Sequence, residues 1–417
     1  MTSAPAVKRF NPQDFDSEAF RVDPYPFYKR LRDHWPVYHD RLHNLVHVTR
    51  YEDLIEIIKD DERFNTRPHR YETDGVIGPT ILTQSGREHT ETRNIVAAEI
   101  VGSKLGAFQP AVEKAARDLI NQFADDGTVD LAAQFTNLFP LNVIIAMLGL
   151  PMEDRHLFDR WFKEMMGGMG WNDEARVIGI KARRELGEYL DPFLVEFRKD
   201  PPAGSLISKL ITTDLHGRTL DDEEIKTFIA LLLSGGGETT DRAIANMWWN
   251  LLRHPELMAE VIADPSLLDR AFTETMRHSP PVHAEPREPF EDLEIQGVLV
   301  PAGIRMQLSY GSGNRDERIF KDPDRFDIYR DDLHFGKELR SGIFADGKAS
   351  HLGFGLGKHF CLGYQLARQE AVIGSKFLLE AMKNPRLEAP EQAGIVASRE
   401  GLAQRSVADL RVRFDPA

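Results

Sequence analysis

The single cysteine of the chain, Cys361, stands in a glycine-rich stretch that is suited to bind a metal. The stretch reads His351-Leu352-Gly353-Phe354-Gly355-Leu356-Gly357-Lys358-His359-Phe360-Cys361-Leu362-Gly363. Glycines let the backbone turn sharply and approach a bulky planar group closely. A predicted helix from Tyr364 to Met382 follows, and the positive end of a helix, with its free amide N–H groups, favours a thiolate over a thiol. The stretch therefore predicts a lone, activated thiolate on a turned loop, which suits one open axial position of a metal.

Two simpler interpretations compete with this one. A lone cysteine is often only a small buried hydrophobic residue. The glycines also suggest a phosphate loop, but that pattern needs a glycine five residues before Gly357-Lys358 and a Ser or Thr after it. Leu352 and His359 occupy those positions. The phosphate loop is excluded, and the buried cysteine remains as an alternative.

A second stretch, Leu231-Leu232-Leu233-Ser234-Gly235-Gly236-Gly237-Glu238-Thr239-Thr240, lies inside a long predicted helix that runs from Leu220 to about Leu252. Three consecutive glycines inside a helix cost about 1 kcal/mol each relative to alanine. Such a run indicates a kink or a ligand pressed against the backbone. The carboxyl group of Glu238 and the hydroxyl group of Thr239 follow directly and are suited to proton transfer. The alternative is a kink that serves packing alone.

The cysteine stretch fills every specified position of Phe-Gly-x-Gly-x-His-x-Cys-x-Gly and closely resembles the cysteine-ligand loop of the cytochromes P450. This resemblance implies haem b (iron protoporphyrin IX) with Cys361 as its thiolate axial ligand and the only metal ligand from the chain. It also assigns Phe354, His359 and Gly363 to the haem site. The glycine run resembles the family's Ala-Gly-x-Glu-Thr-Thr, which implies that Gly235 and Gly236 make room for dioxygen and that Glu238 and Thr239 are catalytic. Gly235 for the commoner Ala, and Gly237 for a frequent His or Asn, depart from that pattern.

Two further sets of residues match the family in type and order. Glu274-Thr275-Met276-Arg277 and the later Pro323-Asp324-Arg325-Phe326 imply a buried carboxylate, Glu274, between the guanidinium groups of Arg277 and Arg325, as structural support for the haem pocket. The cations predicted to hold the haem propionates are His89, Arg93, Arg287 and His359. Each alone is more typical of an ordinary surface cation. A zinc site is excluded, because no histidine pair at ligand spacing has a cysteine partner.

Apolar segments at family positions predict a pocket for a hydrophobic small molecule. The residues predicted to line it are Ile81, Leu82, Met166, Met169, Leu232, Val282, His283 and Val396. Met165 to Trp171 is interpreted either as a flexible apolar cover of that pocket or as a plain helix connection. Arg67, His69 and Arg70 are interpreted as a solvated face, with a site for a substrate carboxylate as the alternative.

Composition narrows the class of protein. The 417 residues include 52 Lys and Arg against 66 Asp and Glu, a net charge of −14, which argues against general affinity for nucleic acid or for an anionic membrane. One cysteine excludes an internal disulfide and is compatible with a reducing cytoplasm. The sequence has neither an apolar signal segment at its start nor a stretch of about 18 uninterrupted apolar residues. We expect a cytoplasmic monomer of bacterial type, without a membrane anchor.

The pattern of the whole chain predicts a mainly α protein with small β-sheets. The resemblance spans Pro24 to Phe414 and implies the P450 fold as one large globular unit over residues 1–417, with residues 1–20 as an extended arm. Helices are expected at 25–32, 51–59, 89–100, 108–123, 131–148, 154–164, 173–197, 220–252, after Pro255, 267–278 and 364–382, with a hairpin at 36–49, strands at 293–310 and 396–414, and a long loop at 65–87. Residues 329–350 are longer than the family usually shows; they are interpreted as a neutral insertion, with a docking role as the alternative.

The implied function is that of a haem-thiolate monooxygenase, which inserts one oxygen atom of O₂ into a hydrophobic small organic substrate. Electrons are expected from a separate ferredoxin and an NAD(P)H-dependent reductase, with Lys358 and Arg368 as candidate docking cations. Two alternatives remain. A peroxide-driven member of the family would usually lack the acid and hydroxyl pair, and a haem sensor or carrier would not need it.

Overall fold

The computed structural model describes residues 10–169, 172–214, 217–336, 340–389, 394–397 and 404–417, with the side chains of Tyr71, Glu72 and Ser103 left out. This part of the chain is mainly helical, as predicted. Its helices are α1 (Glu18–Val22), α2 (Tyr25–His34), α3 (Tyr51–Lys59), α4 (Gly86–Ile100), α5 (Gln109–Ile120), α6 (Phe139–Leu148), α7 (Arg155–Gly168), α8 (Asp173–Lys199), α9 (Leu206–Thr212), α10 (Asp222–Leu252), α11 (Pro255–Ala263), α12 (Leu268–His278), α13 (Tyr310–Gly313) and α14 (Tyr364–Ala381). Its strands are β1 (Val37–Asp40), β2 (Leu45–Val48), β3 (Phe64–Asn65), β4 (Thr128–Asp130), β5 (Glu285–Pro289), β6 (Leu293–Ile295), β7 (Val298–Val300), β8 (Arg305–Leu308), β9 (Met382–Leu387), β10 (Val396–Ala397), β11 (Arg405–Ser406) and β12 (Arg411–Pro416).

Helix α10 is the central element of the core. A capping box starts it: the Asp221 carboxylate accepts from the Glu224 amide at 2.8 Å, and the Glu224 carboxylate accepts from the Asp221 amide at 3.0 Å. The helix stays regular through the three glycines. Its second half is almost entirely buried, and α5, α6, α7, α12 and α14 contribute to the same large apolar cluster. A helix that is apolar on all sides is stable only when other elements surround it.

A five-stranded sheet forms a second layer, in the order β1-β2-β8-β5-β3. The hairpin of β1 and β2 is confirmed, and β2 pairs in parallel with β8, so that Leu45 lies opposite Arg305. Strand β5 is antiparallel to β8 and carries Arg287 opposite Met306. A second apolar cluster joins this sheet to α3 and to Leu352 and Leu356 of the cysteine stretch. The sheet therefore supports the loop that holds Cys361.

Several predicted boundaries were wrong. Residues 10–20 are not an extended arm: a 3₁₀ turn at Pro12–Asp16 and α1 fold back, and Phe10 and Phe15 are buried in an aromatic cluster with Tyr28. Residues 1–9 lie outside the described part. The single helix expected over residues 131–148 is instead a π-helical turn at Ala132–Thr136 followed by α6. Pro140 lies in the first turn of α6, where a proline removes no helical hydrogen bond.

Helix α7 ends later than predicted, while the role of residues 329–350 stays a prediction. Helix α7 continues to Gly168, so Met165 and Met166 belong to a regular helix, while Gly170 and Trp171 lie outside the described residues. Residues 329–336 and 340–350 fold against the rest of the molecule. The Tyr51 hydroxyl donates to the carbonyl oxygens of Gly342 and Ser350, at 3.1 and 2.7 Å, and the Arg270 guanidinium lies 3.9 Å from the Phe335 ring centroid. No helix among the described residues is both long and apolar enough to cross a membrane.

Candidate active site

The loop before Cys361 depends on its glycines at defined positions. Gly355 and Gly357 have φ of +66° and +67°, a region that other residues rarely adopt. A Cβ atom on Gly353 would lie 2.7 Å from the carbonyl oxygen of Met276, so α12 passes too close for any side chain there. The loop closes when the Cys361 amide donates to the Phe354 carbonyl oxygen at 2.9 Å. This turn presents the thiol at the start of α14.

The Cys361 thiol is subject to opposing effects. Burial raises its pKa, whereas the amide N–H groups of Gly363 and Tyr364 and the charge of Arg93 act to lower it. The predicted influence of the helix start is thus present, and burial outweighs it. The side chain is partly buried and forms no disulfide.

Four predicted cationic residues converge beside this loop. The rings of His89 and His359 lie 4.3 Å apart between centroids, and Nε2 of the buried His89 has no hydrogen-bond partner. Nη2 of Arg93 donates to the Phe360 carbonyl oxygen at 2.5 Å. Burial and the nearby charge of Arg287 lower the pKa of His359 to about 2, so this ring is neutral.

On α10, Glu238 and Thr239 follow a local opening in the helix surface. Gly235 is exposed although Leu233 and Ser234 are buried, and a Cβ atom on Gly235 would meet nothing within 4 Å. A Cβ atom on Gly236 would instead lie 3.1 Å from Cδ1 of Ile144 in α6. The two glycines therefore differ: Gly235 borders open space, and Gly236 lies against a neighbouring helix.

The two catalytic candidates are held by local contacts. The Thr239 hydroxyl donates to the Gly235 carbonyl oxygen at 2.6 Å, a bond that competes with the helical bond of that carbonyl. Oε1 of Glu238 pairs with Arg242 one turn later, and Oε2 of Glu238 is buried without a partner. The acid thus keeps one oxygen available for a further hydrogen bond.

The predicted ion pair in α12 is present and fully buried. Arg277 donates from Nε and Nη2 to the two carboxylate oxygens of Glu274, at 2.8 and 2.7 Å. Arg277 also donates to the carbonyl oxygens of Asn314 and Pro323 at 3.0 and 2.8 Å. The pair therefore connects α12 to the segment that follows α13.

The predicted role of the Arg325 guanidinium was wrong. Its side chain is 72% exposed and lies 3.7 Å from Asp327, and only its carbonyl oxygen accepts from Arg277, at 3.1 Å. The buried cation whose charge acts on Glu274 is Arg330, five residues later. Sequence reasoning also missed Asn314, whose side chain donates to the Met276 carbonyl oxygen at 3.1 Å and accepts from the Leu352 amide at 2.7 Å.

Comparison with known proteins decides the family. A family model described as "Cytochrome P450" matches residues 171–392. The chain is 31% identical to pulcherriminic acid synthase of Bacillus subtilis over 405 residues, which cover 96% of this chain and 97% of that protein. The chain belongs to the cytochrome P450 family.

Other relatives of this P450 agree with that assignment. It is 31% identical over 421 residues to 6-deoxyerythronolide B hydroxylase of Saccharopolyspora erythraea, covering 96% of this chain and 98% of that protein. The structure of CYP109Q5 from Chondromyces apiculatus superposes with a TM-score of 0.84 at 28% identity, covering 96% of this chain and 97% of the other. The chain is therefore a bacterial-type P450 monooxygenase with the P450 fold, as predicted.

The family implies a haem with a cysteine thiolate ligand, and the charges of this site fit such a group. Arg93 and Arg287 bring two positive charges, and the nearby carboxylate of Glu285 already pairs with His69 at 3.0 Å. Burial and the charge of Arg340 lower the pKa of Arg93. A haem carries two propionate carboxylates that need neutralisation. A cluster with excess positive charge and a buried, unpaired His89 nitrogen fits these carboxylates. The open space beside Gly235 is on the helix that carries the catalytic candidates, and a Cβ atom on Gly363 would also meet nothing within 4 Å.

The predicted pocket residues fall into two groups. Leu82, Met166, Met169, Leu232, Val282 and Val396 keep part of their surface accessible, as the wall of a cavity requires. Ile81 belongs to the buried group, with 6% of its surface exposed. His283 is 1% exposed, and its ring lies between Tyr25 and Tyr28, with Nε2 3.3 Å from the Tyr25 hydroxyl. Because its ring is enclosed between these two tyrosines, His283 is a core residue, and its predicted contact with substrate was wrong.

The polar residues of the early loop and of the docking surface are mostly engaged within the chain. Arg67 pairs with Glu288 at 2.6 Å, and Arg70 donates to the Thr83 carbonyl oxygen at 3.2 Å. Arg368 is mostly buried and pairs with Asp269, which leaves it unsuited to docking. Lys358 is 68% exposed and lies 3.2 Å from Asp61.

One titratable residue of α10 was missed altogether. Asp241 lies three residues after Glu238, and the Thr136 hydroxyl donates to its carboxyl group at 2.5 Å. Burial raises the pKa of Asp241 to about 7. Nothing in the local sequence distinguishes this aspartate from an exposed one, because its burial depends on the turn that precedes α6.

Proposed function

We propose that this P450 inserts one oxygen atom of O₂ into a hydrophobic small organic substrate, with Cys361 as the axial thiolate ligand of haem b. Three features together support the proposal: the turned cysteine loop, the guanidinium groups of Arg93 and Arg287 with the rings of His89 and His359 beside that loop, and the open side of α10 at Gly235. The haem supplies electron transfer to O₂ and O–O bond cleavage when bound.

The residues around Cys361 stabilise its charged form. The amides of Gly363 and Tyr364 donate towards Sγ, and a metal cation at that atom offsets the burial that raises the pKa of the free thiol. The guanidinium groups of Arg93 and Arg287 would pair with the haem propionates, and His89 would donate from the nitrogen that is otherwise unpaired. These charge-assisted contacts would orient the haem.

Glu238 and Thr239 act on protons. The Thr239 hydroxyl turns from the Gly235 carbonyl oxygen into the open space beside it, where it donates to a bound ligand. The Glu238 carboxyl group is held by Arg242 through Oε1 and passes a proton through Oε2. A positioned acid and hydroxyl deliver protons while the apolar side chains nearby keep other water away.

The substrate class follows from the wall of the pocket. Leu82, Met166, Met169 and Leu232 are apolar and partly accessible, which favours a hydrophobic molecule with few charged groups. One cysteine cannot hold an iron–sulfur cluster, which favours electron delivery by separate proteins. We assign that role to a ferredoxin and an NAD(P)H-dependent reductase, in the cytoplasm.

The ligation is tested by the carbon monoxide difference spectrum of the dithionite-reduced protein. The wild type is expected to give a strongly red-shifted Soret band, and Cys361→Ser is expected to lose it. Arg368→Lys serves as the control and is expected to keep the red-shifted band. Arg368 lies on α14, the helix that follows Cys361, and its side chain pairs with Asp269. A spectrum of the histidine-ligated type in the wild type contradicts the proposal.

The activity is tested by a substrate screen followed by turnover. Hydrophobic compounds that shift the haem spin state are incubated with ferredoxin, reductase and NADPH. Product is expected to form with one O₂ consumed per product. Thr239→Val is expected to lower product per O₂ several-fold, and Thr239→Ser to restore most of it. Binding without any O₂ consumption indicates a sensor or carrier, and turnover with peroxide alone indicates the peroxide-driven alternative.

A further inference from the structure

A second cleft lies outside the proposed active site, where the segment after α1 meets Ile395 and Arg405 near the two ends of the described chain. It has a volume of about 340 Å³ and lies between the segment after α1, the last turn of α10, the end of α12 and the segment before β10. This volume is at the lower end of the range for small-molecule sites. Tyr25, Trp249 and Phe326 provide aromatic walls.

The charges that face the cleft are predominantly positive. Four arginines line it, namely Arg253, Arg315, Arg325 and Arg405, against two aspartates, Asp23 and Asp324. Asp324 already pairs with Arg315 at 3.0 Å. His278 adds no charge, because burial and the charge of Arg315 hold its pKa well below the ordinary value. Arg325 lies 3.7 Å from Asp327 and Asp23 offsets one further charge, so one positive charge remains in excess.

Arg405 is a buried cation of the cleft. Its side chain is 4% exposed, and its Nη atoms donate to the carbonyl oxygens of Arg21, Val22 and Ile395 at 2.7 to 2.9 Å. Its Nε has no partner. The charge of Asp23 acts on Arg405, but no carboxylate among the described residues is bound directly to this buried guanidinium, whose hydrogen bonds go only to neutral carbonyls.

Arg253 offers an accessible cation at the mouth of the cleft. Its guanidinium lies 5.4 Å from the Trp249 ring centroid, and no carboxylate of the described residues lies within ion-pair distance of it. A cation beside an aromatic face is a favourable place for a planar anion, which can stack on the ring while its carboxylate meets the guanidinium.

We propose that this cleft binds a small aromatic carboxylate, at a site separate from the substrate pocket of the P450. The carboxylate pairs with Arg253 and Arg405, and the ring lies among Trp249, Phe326 and Tyr25. Occupation joins the segment after α1 to the ends of α10 and α12, so it stabilises the junction of the two chain ends.

The test uses the haem-loaded full chain and isothermal titration with salicylate as the probe, while the Soret spectrum is recorded in parallel. One equivalent is expected to bind without a Soret change, which places it away from the haem.

Replacement of Arg405 risks unfolding, because its carbonyl contacts hold the chain ends. The informative variant is therefore Arg253→Gln, at an exposed position, with an expected loss of affinity of about tenfold. Arg386→Gln, at an exposed site on β9, is the matched control and is expected to leave the affinity unchanged.

Three results would overturn the proposal. One is the absence of saturable binding, or binding that changes the Soret band. Another is equal affinity in Arg253→Gln and the wild type. The third concerns the ligand class: neutral salicylamide or inorganic phosphate that binds as tightly as salicylate would show that the cleft does not require an aromatic carboxylate.

Discussion

At the scale of single residues, Asp241 shows how burial changes the chemistry of an ordinary side chain. Its pKa is about 7 in the folded protein, against 3.8 for an unperturbed aspartate. Between these two values the folded protein holds a proton that the unfolded chain has released. The free energy of unfolding therefore falls as the pH rises from about 4 to about 7, and Asp241 adds no further slope above that.

Asp241→Asn is expected to remove this slope. The variant keeps an acceptor for the Thr136 hydroxyl but cannot ionise, so its stability relative to the wild type rises with pH. The largest difference in slope is about 1.4 kcal/mol per pH unit. Urea unfolding at several pH values between 4 and 8 measures it. The control is Asp118→Asn, at an exposed position on α5, and parallel curves for Asp241→Asn and the wild type would contradict the expectation.

At the scale of elements, α12 and the segment after α13 are joined by the buried pair of Glu274 and Arg277. Both side chains have no exposed surface. Glu274→Gln leaves the Arg277 charge buried without its partner, at a cost of about 3–5 kcal/mol. We expect a large fall in the urea midpoint together with loss of haem content.

Arg325→Gln is the matched control, because this arginine is 72% exposed. It is expected to change the free energy of unfolding by no more than about 0.5 kcal/mol. Equal damage from both variants would restore a role for the Arg325 guanidinium.

The glycines of α10 allow a second test at this scale. Gly235→Ala introduces a methyl group into open space and removes a flexible residue from a helix, so it is expected to stabilise the protein by up to about 1 kcal/mol. Gly236→Ala has the same propensity gain, but its Cβ atom approaches Cδ1 of Ile144 to 3.1 Å, which offsets that gain. Chemical unfolding of the two variants compares them directly. A destabilised Gly235→Ala protein would show that this side of the helix is closed.

The site was predictable from sequence where its signals are local. The positive φ of Gly355 and Gly357, the turn to Cys361 and the start of α14 follow from residues within a few positions of one another. Side-chain direction is set by tertiary contacts, so the exposed Arg325 and the core position of His283 could not be read from their motifs. Helix α9 was missed because its seven residues are too short for a clear period, although Ser205 caps it.

At the scale of the whole molecule, the long loop before α4 is held by a side chain from another element. Arg183 of α8 donates from Nε to the Ile77 carbonyl oxygen at 3.3 Å and from Nη2 to the Thr227 hydroxyl of α10 at 3.2 Å. Its side chain is 14% exposed. One arginine therefore connects three walls around the predicted pocket.

Arg183→Met is expected to loosen the loop without unfolding the core. Amide hydrogen exchange at residues 73–85 should rise, because opening of the loop no longer breaks the hydrogen bond from Arg183 to the Ile77 carbonyl oxygen. Arg184→Met, next to it and 68% exposed, is the control and should leave the exchange unchanged. Equal protection in the two variants would show that Arg183 does not hold the loop.

The pairing of β2 with β8 bears on the order in which the chain can fold during synthesis. The hydroxyl of Tyr51, just after β2, binds the carbonyl oxygen of Ser350, 299 residues later, and β2 itself pairs with residues 305–308. The loop entropy of such distant contacts has to be offset by contacts made at the same time. The first 50 residues therefore leave the ribosome long before their partners exist. The sheet that supports the Cys361 loop is completed only when nearly the whole chain has emerged.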